Sequence, residues 1–185
     1  MTPPPSRRPG VFFDRDGIVN ESPGPGYVNH LDDFHLRAGF LECVRVVTEK
    51  GLPAIVVTNQ RGISRGITPP EQLAAMHAAL RATLARDGLA LLDILICTAD
   101  DPAHPDRKPN PGMLLTAAQR HDIDLAQSWI IGDRESDVQT GQHAGVAVTV
   151  LVDPALPKTA ATHQVPDMLA CAALLRRELK RAGSK

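Results

Sequence analysis

The stretch VFFDRDGIVN, residues 11–20, places two carboxylates, Asp14 and Asp16, directly after an apolar run. Two unit negative charges about 4 Å apart repel by roughly 4 kcal/mol at an effective dielectric constant near 20, so a buried strand with this ending needs a compensating cation or ligand. Carboxylates in such a position can hold a metal ion, act as a nucleophile or transfer a proton. The sequence therefore predicts a chemical site at the end of this strand.

Further polar side chains follow the next three apolar runs: Thr58 and Asn59 after PAIVV, Arg107 and Lys108 in the loop after LLDILIC, and Asp133 and Asp137 after SWIIG. The carboxyl ends of parallel strands meet at one edge of an open α/β sheet, where ligands bind, so we expect these groups to surround Asp14. Hydroxyl, amide and ammonium groups bind phosphate, and carboxylates with phosphate oxygens bind Mg²⁺. The set predicts a magnesium site that accepts a phosphorylated ligand.

The apolar runs also predict the elements that carry these groups. Strands are expected at 11–14, 53–58, 91–97, 128–133 and 146–152. Their apolar residues are continuous instead of alternating, which is typical of strands buried on both faces. With helices between them, the pattern predicts an α/β fold in which helices cover both faces of a parallel sheet.

The helices are predicted from apolar spacing and from their end signals. One carries Phe40, Cys43, Val44 and Val47 inward, and NQRGISRGI after the second strand is expected to be a loop. Three further helices are expected to begin at capping residues, namely Thr68, Asn110 and Asp167, and another helix is expected in the acidic segment 135–145. The helix capped by Asp167 is expected to carry Leu169, Leu174 and Leu175 inward.

Length and charge limit the classes of function. The 185 residues suit one domain, which we expect at 11–185 after a flexible Pro-rich tail at 1–10. The net charge of −1 argues against nucleic acid or an anionic membrane surface as a partner. Three widely spaced cysteines argue against a disulfide framework, and the start of the chain lacks the apolar core of a signal peptide. We expect a cytoplasmic protein.

Four motifs carry a resemblance to a known family. FFDRDG, VVTNQ, RKPNPGM and IGDRESD resemble, in order and spacing, the motifs of the haloacid dehalogenase (HAD) superfamily of phosphatases over residues 11–152. The resemblance implies a Rossmann-like HAD fold. The intervals between the motifs leave no room for the cap domain that many members carry.

The resemblance also implies a role for each acidic residue. Asp14 would be the nucleophile that accepts the phosphoryl group as an aspartyl phosphate. Asp16 would protonate the leaving alcohol and then take a proton from the attacking water. Asp133, with Asp14 and the backbone carbonyl of Asp16, would hold Mg²⁺, and Asp137 would support the site from behind these ligands.

Within the superfamily, the motifs resemble most the sugar-phosphate branch, which includes phosphatases of heptose 1,7-bisphosphate and of histidinol phosphate. Thr58, Asn59 and Lys108 would bind the phosphate that is removed. Five arginines lie in or beside the motifs, more than one phosphate needs, and favour a sugar bisphosphate as the substrate: Arg15, Arg61, Arg65, Arg107 and Arg134. The resemblance thus implies a monomeric phosphatase for D-glycero-D-manno-heptose 1,7-bisphosphate, acting at position 7.

The chain departs from this branch at a zinc-binding loop. Cys97 is retained, but Ala99 stands where the branch has histidine, and His104 and Asp106 stand where it has the last two cysteines. A structural zinc ion is therefore not expected.

Two alternatives keep part of this chemistry. Histidinol phosphate or another small phosphorylated metabolite could replace the heptose, and an uncapped site could also admit a polynucleotide 3′-phosphate. A phosphoacceptor signalling domain also uses Asp, Thr and Lys on a parallel sheet. Its acceptor follows a middle strand, however, whereas Asp14 follows the first, and a stable switch has no use for a second catalytic carboxylate such as Asp16.

Overall fold

The structure is a computed structural model and describes residues 7–153, 155 and 158–180. Six parallel strands form one sheet in the order β3-β2-β1-β4-β5-β6. Their bounds are β1 Val11–Phe13, β2 Ala54–Asn59, β3 Asp93–Cys97, β4 Trp129–Gly132, β5 Val148–Val152 and β6 His163–Val165. The expected α/β class with a parallel sheet is confirmed.

Helices connect the strands and cover both faces of the sheet. Their bounds are α1 Phe40–Glu49, α2 Arg61–Ser64, α3 Pro70–Arg86, α4 Gly112–His121, α5 Glu135–Ala144 and α6 Met168–Glu178, with short 3-10 turns at Leu31–Asp33 and Leu125–Gln127. Successive β1 side chains face opposite ways. Phe13 packs in the apolar cluster that contains residues of α1, α3 and α6, whereas Phe12 packs with α4.

The order of the strands creates a crevice beside β1. From β1 the chain runs outward through β2 to β3, and then returns to place β4 on the other side of β1. Phe13 pairs with Ile131 of β4, and the Asp14 N–H donates to the Ile131 carbonyl at 2.9 Å. The strand order thus reverses between β1 and β4, which is where ligands bind in open α/β sheets.

The connections near this crevice are short. Between β1 and β3, in a stretch that the structure describes throughout, the chain forms one 3-10 turn and the helices α1, α2 and α3. No additional folded unit is inserted there, as expected from the motif spacing. The edge of the sheet is therefore covered by the connecting loops and the ends of the helices α2 and α5.

Several sequence-based expectations about elements are wrong. Strand β6 was not expected, because its three residues, HQV, do not form an apolar run. Helix α2 lies within the segment that was expected to be a loop. Helix α3 begins at Pro70 instead of after Thr68, because two successive prolines keep Pro69 extended, with φ −62° and ψ 134°. The Thr68 hydroxyl donates instead to Asn29 Oδ1 at 2.8 Å.

Of the other two expected helix caps, one is present and one is not. Asp167 caps α6, since its Oδ1 accepts from the Ala170 N–H at 2.8 Å. Asn110 does not cap α4, which begins at Gly112 with no side-chain cap. Its amide donates instead to the carbonyls of Pro102 and His104, closing the preceding loop. Leu169 does not face inward and is 60% exposed.

The end of the expected tail belongs to the folded body. The Arg8 N–H donates to the Asp122 carbonyl at 3.0 Å, and the buried Gly10 N–H donates to Ser128 Oγ at 2.9 Å. The expectation of a flexible tail is thus wrong for residues 8–10, and Met1 to Ser6 lie outside the described residues. Among the helices of the described part, none is long and apolar enough to cross a membrane.

Candidate active site

Lys108 lies between two carboxylates at the end of β1. Its Nζ donates to Asp14 Oδ1 and to Asp137 Oδ1, both at 2.6 Å, and to the Val57 carbonyl at 3.2 Å. Asp14 directly follows β1, Asp137 comes from the first turn of α5, and the loop before α4 supplies Lys108. All three side chains are buried. The three ammonium protons therefore each have an acceptor within the protein.

The balance of charge in this cluster is negative. Burial raises the pKa of Asp14 to about 7, against the lowering effect of Lys108, and the neighbouring Asp137 raises it further. Burial alone would lower the pKa of Lys108, but Asp137 and Asp14 hold it above its ordinary value. When ionised, the carboxylates of Asp14, Asp133 and Asp137 and the one ammonium leave a net charge of −2. An anionic substrate needs a further cation here.

The carboxylates fit a divalent metal ion. In the part of the chain that the structure describes, one group of acidic, histidine or cysteine side chains has ligand atoms that all lie within 4.8 Å of one another: Asp14, Asp133 and Asp137. Asp133 Oδ1 is buried and has no hydrogen-bond partner among the described residues. The nearest cation to this oxygen is Arg134 Nε, at 3.8 Å, which is too long for a hydrogen bond. Carboxylate oxygens at this spacing suit Mg²⁺, and a buried oxygen without a hydrogen bond is costly unless a cation contacts it closely.

Both carboxylate oxygens of Asp137 already accept hydrogen bonds within the protein. Its Oδ1 accepts from Lys108, and its Oδ2 accepts from the Arg134 N–H at 3.2 Å. Asp14 Oδ2, in contrast, has no hydrogen-bond donor among the described residues. These contacts favour Asp14 and Asp133 as metal ligands and suit the supporting role expected of Asp137.

Gly17 is required for the placement of Asp133. Its φ is +92°, which side chains other than glycine rarely adopt, and a Cβ at this position would lie 2.0 Å from Asp133 Oδ2. The glycine behind Asp16 in the sequence therefore lets β4 bring its carboxylate against the β1 loop. Arg37 stabilises the same turn, because its guanidinium donates to the Gly17 carbonyl.

Asp16 has its own set of donors, separate from the metal cluster. Arg15 Nη2 donates to its Oδ1 at 2.8 Å, Asn20 Nδ2 donates to Oδ1 at 3.0 Å, and Gln60 Nε2 donates to Oδ2 at 2.9 Å. Burial would raise the pKa of Asp16, but Arg15 and these hydrogen bonds hold it below its ordinary value. The arrangement favours the carboxylate form, which can accept a proton.

The end of β2 supplies the groups expected to bind phosphate. Thr58 is buried and lines the cavity beside Asp14. Asn59 also lines it, but its side chain exchanges two hydrogen bonds with the backbone of Lys108, from Nδ2 to the carbonyl at 3.2 Å and from the N–H to Oδ1 at 3.1 Å. Asn59 thus holds the Lys108 loop against β2, and the second proton of its amide stays available for the expected contact with phosphate.

A cavity of about 490 Å³ opens above these groups. Its floor is formed by Asp14, Asp16, Thr58 and Lys108, and one wall is the loop Pro23 to Tyr27. The remaining lining includes cationic side chains, namely Arg61, Arg107 and Arg134. A small phosphorylated molecule fits a cavity of this size.

The structure separates the five arginines into two groups. Arg15 is fully buried and paired with Asp16, and Arg65 lies outside the cavity lining, where it forms a two-pronged ion pair with Asp100. Neither side chain is placed to contact a ligand. The expectations that Arg65 binds the substrate and that Arg15 is a surplus cation available to the substrate are therefore wrong. Arg61, Arg107 and Arg134 face the cavity.

Sequence reasoning missed three residues that hold Asp16. The motifs indicate no role for Gln60 or Asn20, and they place Arg15 only among the surplus cations. All three are buried polar groups, and buried polar groups are normally hydrogen-bonded. Their positions beside Asp16 and Thr58 in the motifs were the available signal, but the direction of each side chain could not be derived from spacing.

Cys97 and His104 lie close together in the loop after β3. Cys97 Sγ lies 3.9 Å from His104 Nδ1, and that nitrogen accepts from the Asp106 N–H at 3.2 Å. The His104 nitrogen nearest the thiol is therefore already engaged by the backbone.

Comparison with known proteins agrees with the fold. A family model described as HAD-hydrolase-like matches residues 106–170. A D-glycero-beta-D-manno-heptose-1,7-bisphosphate 7-phosphatase of Yersinia pestis is 37% identical over 164 residues, which cover 82% of this chain and 84% of the relative. The chain belongs to the haloacid dehalogenase superfamily of hydrolases.

Two further relatives belong to the same group. A D-glycero-alpha-D-manno-heptose-1,7-bisphosphate 7-phosphatase of Burkholderia mallei is 35% identical and covers 77% of this chain and 78% of the relative. A solved structure, the D,D-heptose 1,7-bisphosphate phosphatase of B. bronchiseptica with magnesium and phosphate, is 30% identical with a TM-score of 0.80 and covers 90% of this chain and 97% of that one. The chain is similar in sequence and fold to sugar-bisphosphate phosphatases.

Replacing Lys108 by Met should destabilise the metal-free protein in a pH-dependent way. At pH 8 the substitution leaves the Asp14 and Asp137 carboxylates facing each other, and we expect a loss of about 3–5 kcal/mol in the free energy of unfolding. Without the lysine the pKa of Asp14 rises beyond about 7, so the protonated form dominates at pH 5 and the repulsion is relieved. The deficit relative to the unsubstituted protein should grow as pH rises from 5 to 8.

Urea denaturation in the presence of EDTA measures this difference. The exposed Lys180, also replaced by Met, provides the matched control and should change stability by less than about 0.5 kcal/mol. A deficit for Lys108→Met that is the same at pH 5 and pH 8 would contradict the assigned charge balance.

Proposed function

We propose that the protein is a Mg²⁺-dependent phosphomonoesterase that forms an aspartyl phosphate on Asp14. The observation that carries the proposal is the position of Asp14: its carboxylate lines the cavity, with Oδ1 bound by Lys108 at 2.6 Å and Oδ2 without a donor among the described residues. An unengaged carboxylate oxygen facing a cavity can act as a nucleophile. The likeness to phosphatases that share this fold supports the same chemistry.

The reaction takes two steps that balance in atoms and protons. The first step starts from Asp16 that has taken a proton from solvent, although its donors favour the carboxylate: Asp14 Oδ2 attacks phosphorus, the bond from phosphorus to the sugar oxygen breaks, and Asp16 gives its proton to the leaving alkoxide. In the second, water attacks phosphorus, Asp16 takes a proton of that water, the bond from phosphorus to Asp14 breaks, and inorganic phosphate and free Asp14 are released. The donors around Asp16 stabilise the carboxylate that exists between the two steps.

The remaining groups bind the phosphate and compensate its charge. The Thr58 hydroxyl faces the cavity and can donate to a phosphate oxygen. Lys108 lowers the negative charge around Asp14 through its contacts with both carboxylates. A Mg²⁺ ion held by Asp14, Asp133 and the backbone carbonyl of Asp16 would supply the positive charge that the phosphoryl group needs as it transfers.

We infer that the substrate is a sugar bisphosphate, and specifically D-glycero-D-manno-heptose 1,7-bisphosphate hydrolysed at position 7. The named substrates of the relatives support this inference. So does Arg61, which lines the cavity and has no carboxylate partner within 4.0 Å among the described residues. An Arg in the cavity lining without an ion-pair partner suits a second phosphate on the same molecule.

The phosphoacceptor signalling alternative loses its support. Asp14 follows the first strand, and the chain belongs to the hydrolases described above. Histidinol phosphate and a polynucleotide 3′-phosphate stay as competing substrates for the same site.

Phosphate release from a set of substrates tests the proposed function. The set contains both anomers of heptose 1,7-bisphosphate, histidinol phosphate and a 3′-phosphorylated oligonucleotide, each with Mg²⁺ or with EDTA. We expect kcat/KM for one heptose bisphosphate anomer to exceed that of the other substrates by at least about a hundredfold, the range that well-placed polar contacts provide. Asp14→Asn and EDTA should each abolish turnover. Equal, low rates for all substrates would contradict the substrate, and full activity of Asp14→Asn would contradict the mechanism.

Removing Arg61 should weaken binding of the bisphosphate selectively. We expect Arg61→Ala to raise KM for heptose 1,7-bisphosphate by about tenfold or more, because hydrogen bonds to a charged group contribute about 1.5–3 kcal/mol. KM for the corresponding 7-monophosphate should change much less. Arg65→Ala is the matched control, since Arg65 is paired with Asp100 outside the cavity. An equal increase in KM for both substrates would contradict contact between Arg61 and the second phosphate.

A further inference from the structure

The Gln60 side chain contacts two groups that have different roles in the proposed reaction. It follows β2, is 3% exposed, and its backbone N–H is fixed by the Cys97 carbonyl at 2.7 Å. Its Nε2 donates to Asp16 Oδ2 at 2.9 Å and to Thr58 Oγ1 at 2.8 Å. One buried amide nitrogen thus contacts both the proton-transferring carboxylate and the hydroxyl expected to bind phosphate.

The orientation of this amide is determined by its neighbour. An amide nitrogen has two protons, and the amide oxygen can only accept. Arg15 pairs with Asp16 through two nitrogen atoms and keeps Asp16 as an acceptor, so the opposite orientation would place the Gln60 oxygen against a carboxylate oxygen. The amide nitrogen must therefore face Asp16, and its second proton is directed to Thr58.

This orientation decides where the Thr58 proton points. A hydroxyl has one proton, and Thr58 Oγ1 already accepts from Gln60. The proton cannot point at the Gln60 nitrogen, which is itself a donor. Because Thr58 is buried except where it lines the cavity, its proton is left to face the position of the phosphate.

We propose that Gln60 is a positioning residue that directs the Thr58 hydroxyl toward the phosphate and holds Asp16 beside the leaving oxygen. The proposal rests on the proposed phosphatase function and adds a residue to it. Gln60 itself does not line the cavity that would hold the substrate. Its removal should therefore act through phosphate affinity on one side and through proton transfer to the leaving group on the other.

Two phosphomonoesters separate these effects from general damage to the site. An alkyl phosphate such as the heptose bisphosphate leaves as an alkoxide that needs a proton, whereas p-nitrophenyl phosphate releases a stable phenolate that does not. For Gln60→Met we expect kcat/KM to fall at least about tenfold more with the alkyl ester than with the aryl ester, a difference that corresponds to one lost hydrogen bond to a charged group. Equal losses for the two esters, or no loss, would overturn the proposal.

A double-mutant cycle tests the contact with Thr58. The inhibition constant of inorganic phosphate should rise about tenfold in Gln60→Met and in Thr58→Val, with little further rise in the double variant, because Gln60 acts on phosphate through the hydroxyl. Additive effects would overturn this part. The exposed Gln119, replaced by Met, is the control and should leave both readouts unchanged.

A second variant at the same position tests the proposal if Gln60→Met does not fold. Gln60→Leu also removes the amide protons, with a side chain of different shape, so it should show the same preference for the aryl ester. An unchanged ratio between the two esters in Gln60→Leu would overturn the proposal. Inactivity of the unsubstituted protein on both esters would instead contradict the proposed function, which distinguishes the two failures.

Discussion

The arrangement of the site depends on the compensation of buried negative charge at the end of β1. Asp14, Asp133 and Asp137 meet where the strand order reverses, and Lys108 is the cation that contacts two of them. One ammonium cannot balance three carboxylates, so the folded chain retains a deficit of positive charge in a buried position. A divalent cation would offset this negative charge, and an anionic phosphate can bind beside the carboxylates only when such a cation is present.

The other charges are arranged so that they do not disturb this balance. Arg15 neutralises Asp16 within the protein, and Arg65 neutralises Asp100 on the outside of the loop. The proton-transferring carboxylate can therefore lie two residues from the nucleophile without adding to the charge that the metal must offset. Arg61 remains directed at the cavity, where a second anionic group of the substrate can meet it.

Much of this structure could be predicted from the sequence, because apolar runs and end signals are local. The runs predicted β1 to β5, and the polar residues after them predicted which side chains meet at the edge of the sheet. The errors arose where a side chain has a choice of partner. Asn110 has the chemistry of a helix cap but closes a loop, Arg65 pairs with Asp100, and spacing alone cannot decide among such partners.

The central claim is that Asp14 accepts the phosphoryl group. The most direct measurement is a rapid acid quench of the Mg²⁺ enzyme mixed with p-nitrophenyl phosphate that carries a radiolabelled phosphoryl group, followed by mapping of the labelled peptide. Its leaving group needs no proton, so the first step does not depend on Asp16. We expect the label on Asp14 and a larger labelled fraction in Asp16→Asn, which lacks the base that activates the attacking water. Turnover with no labelled protein, or with the label on a residue other than Asp14, would contradict the account.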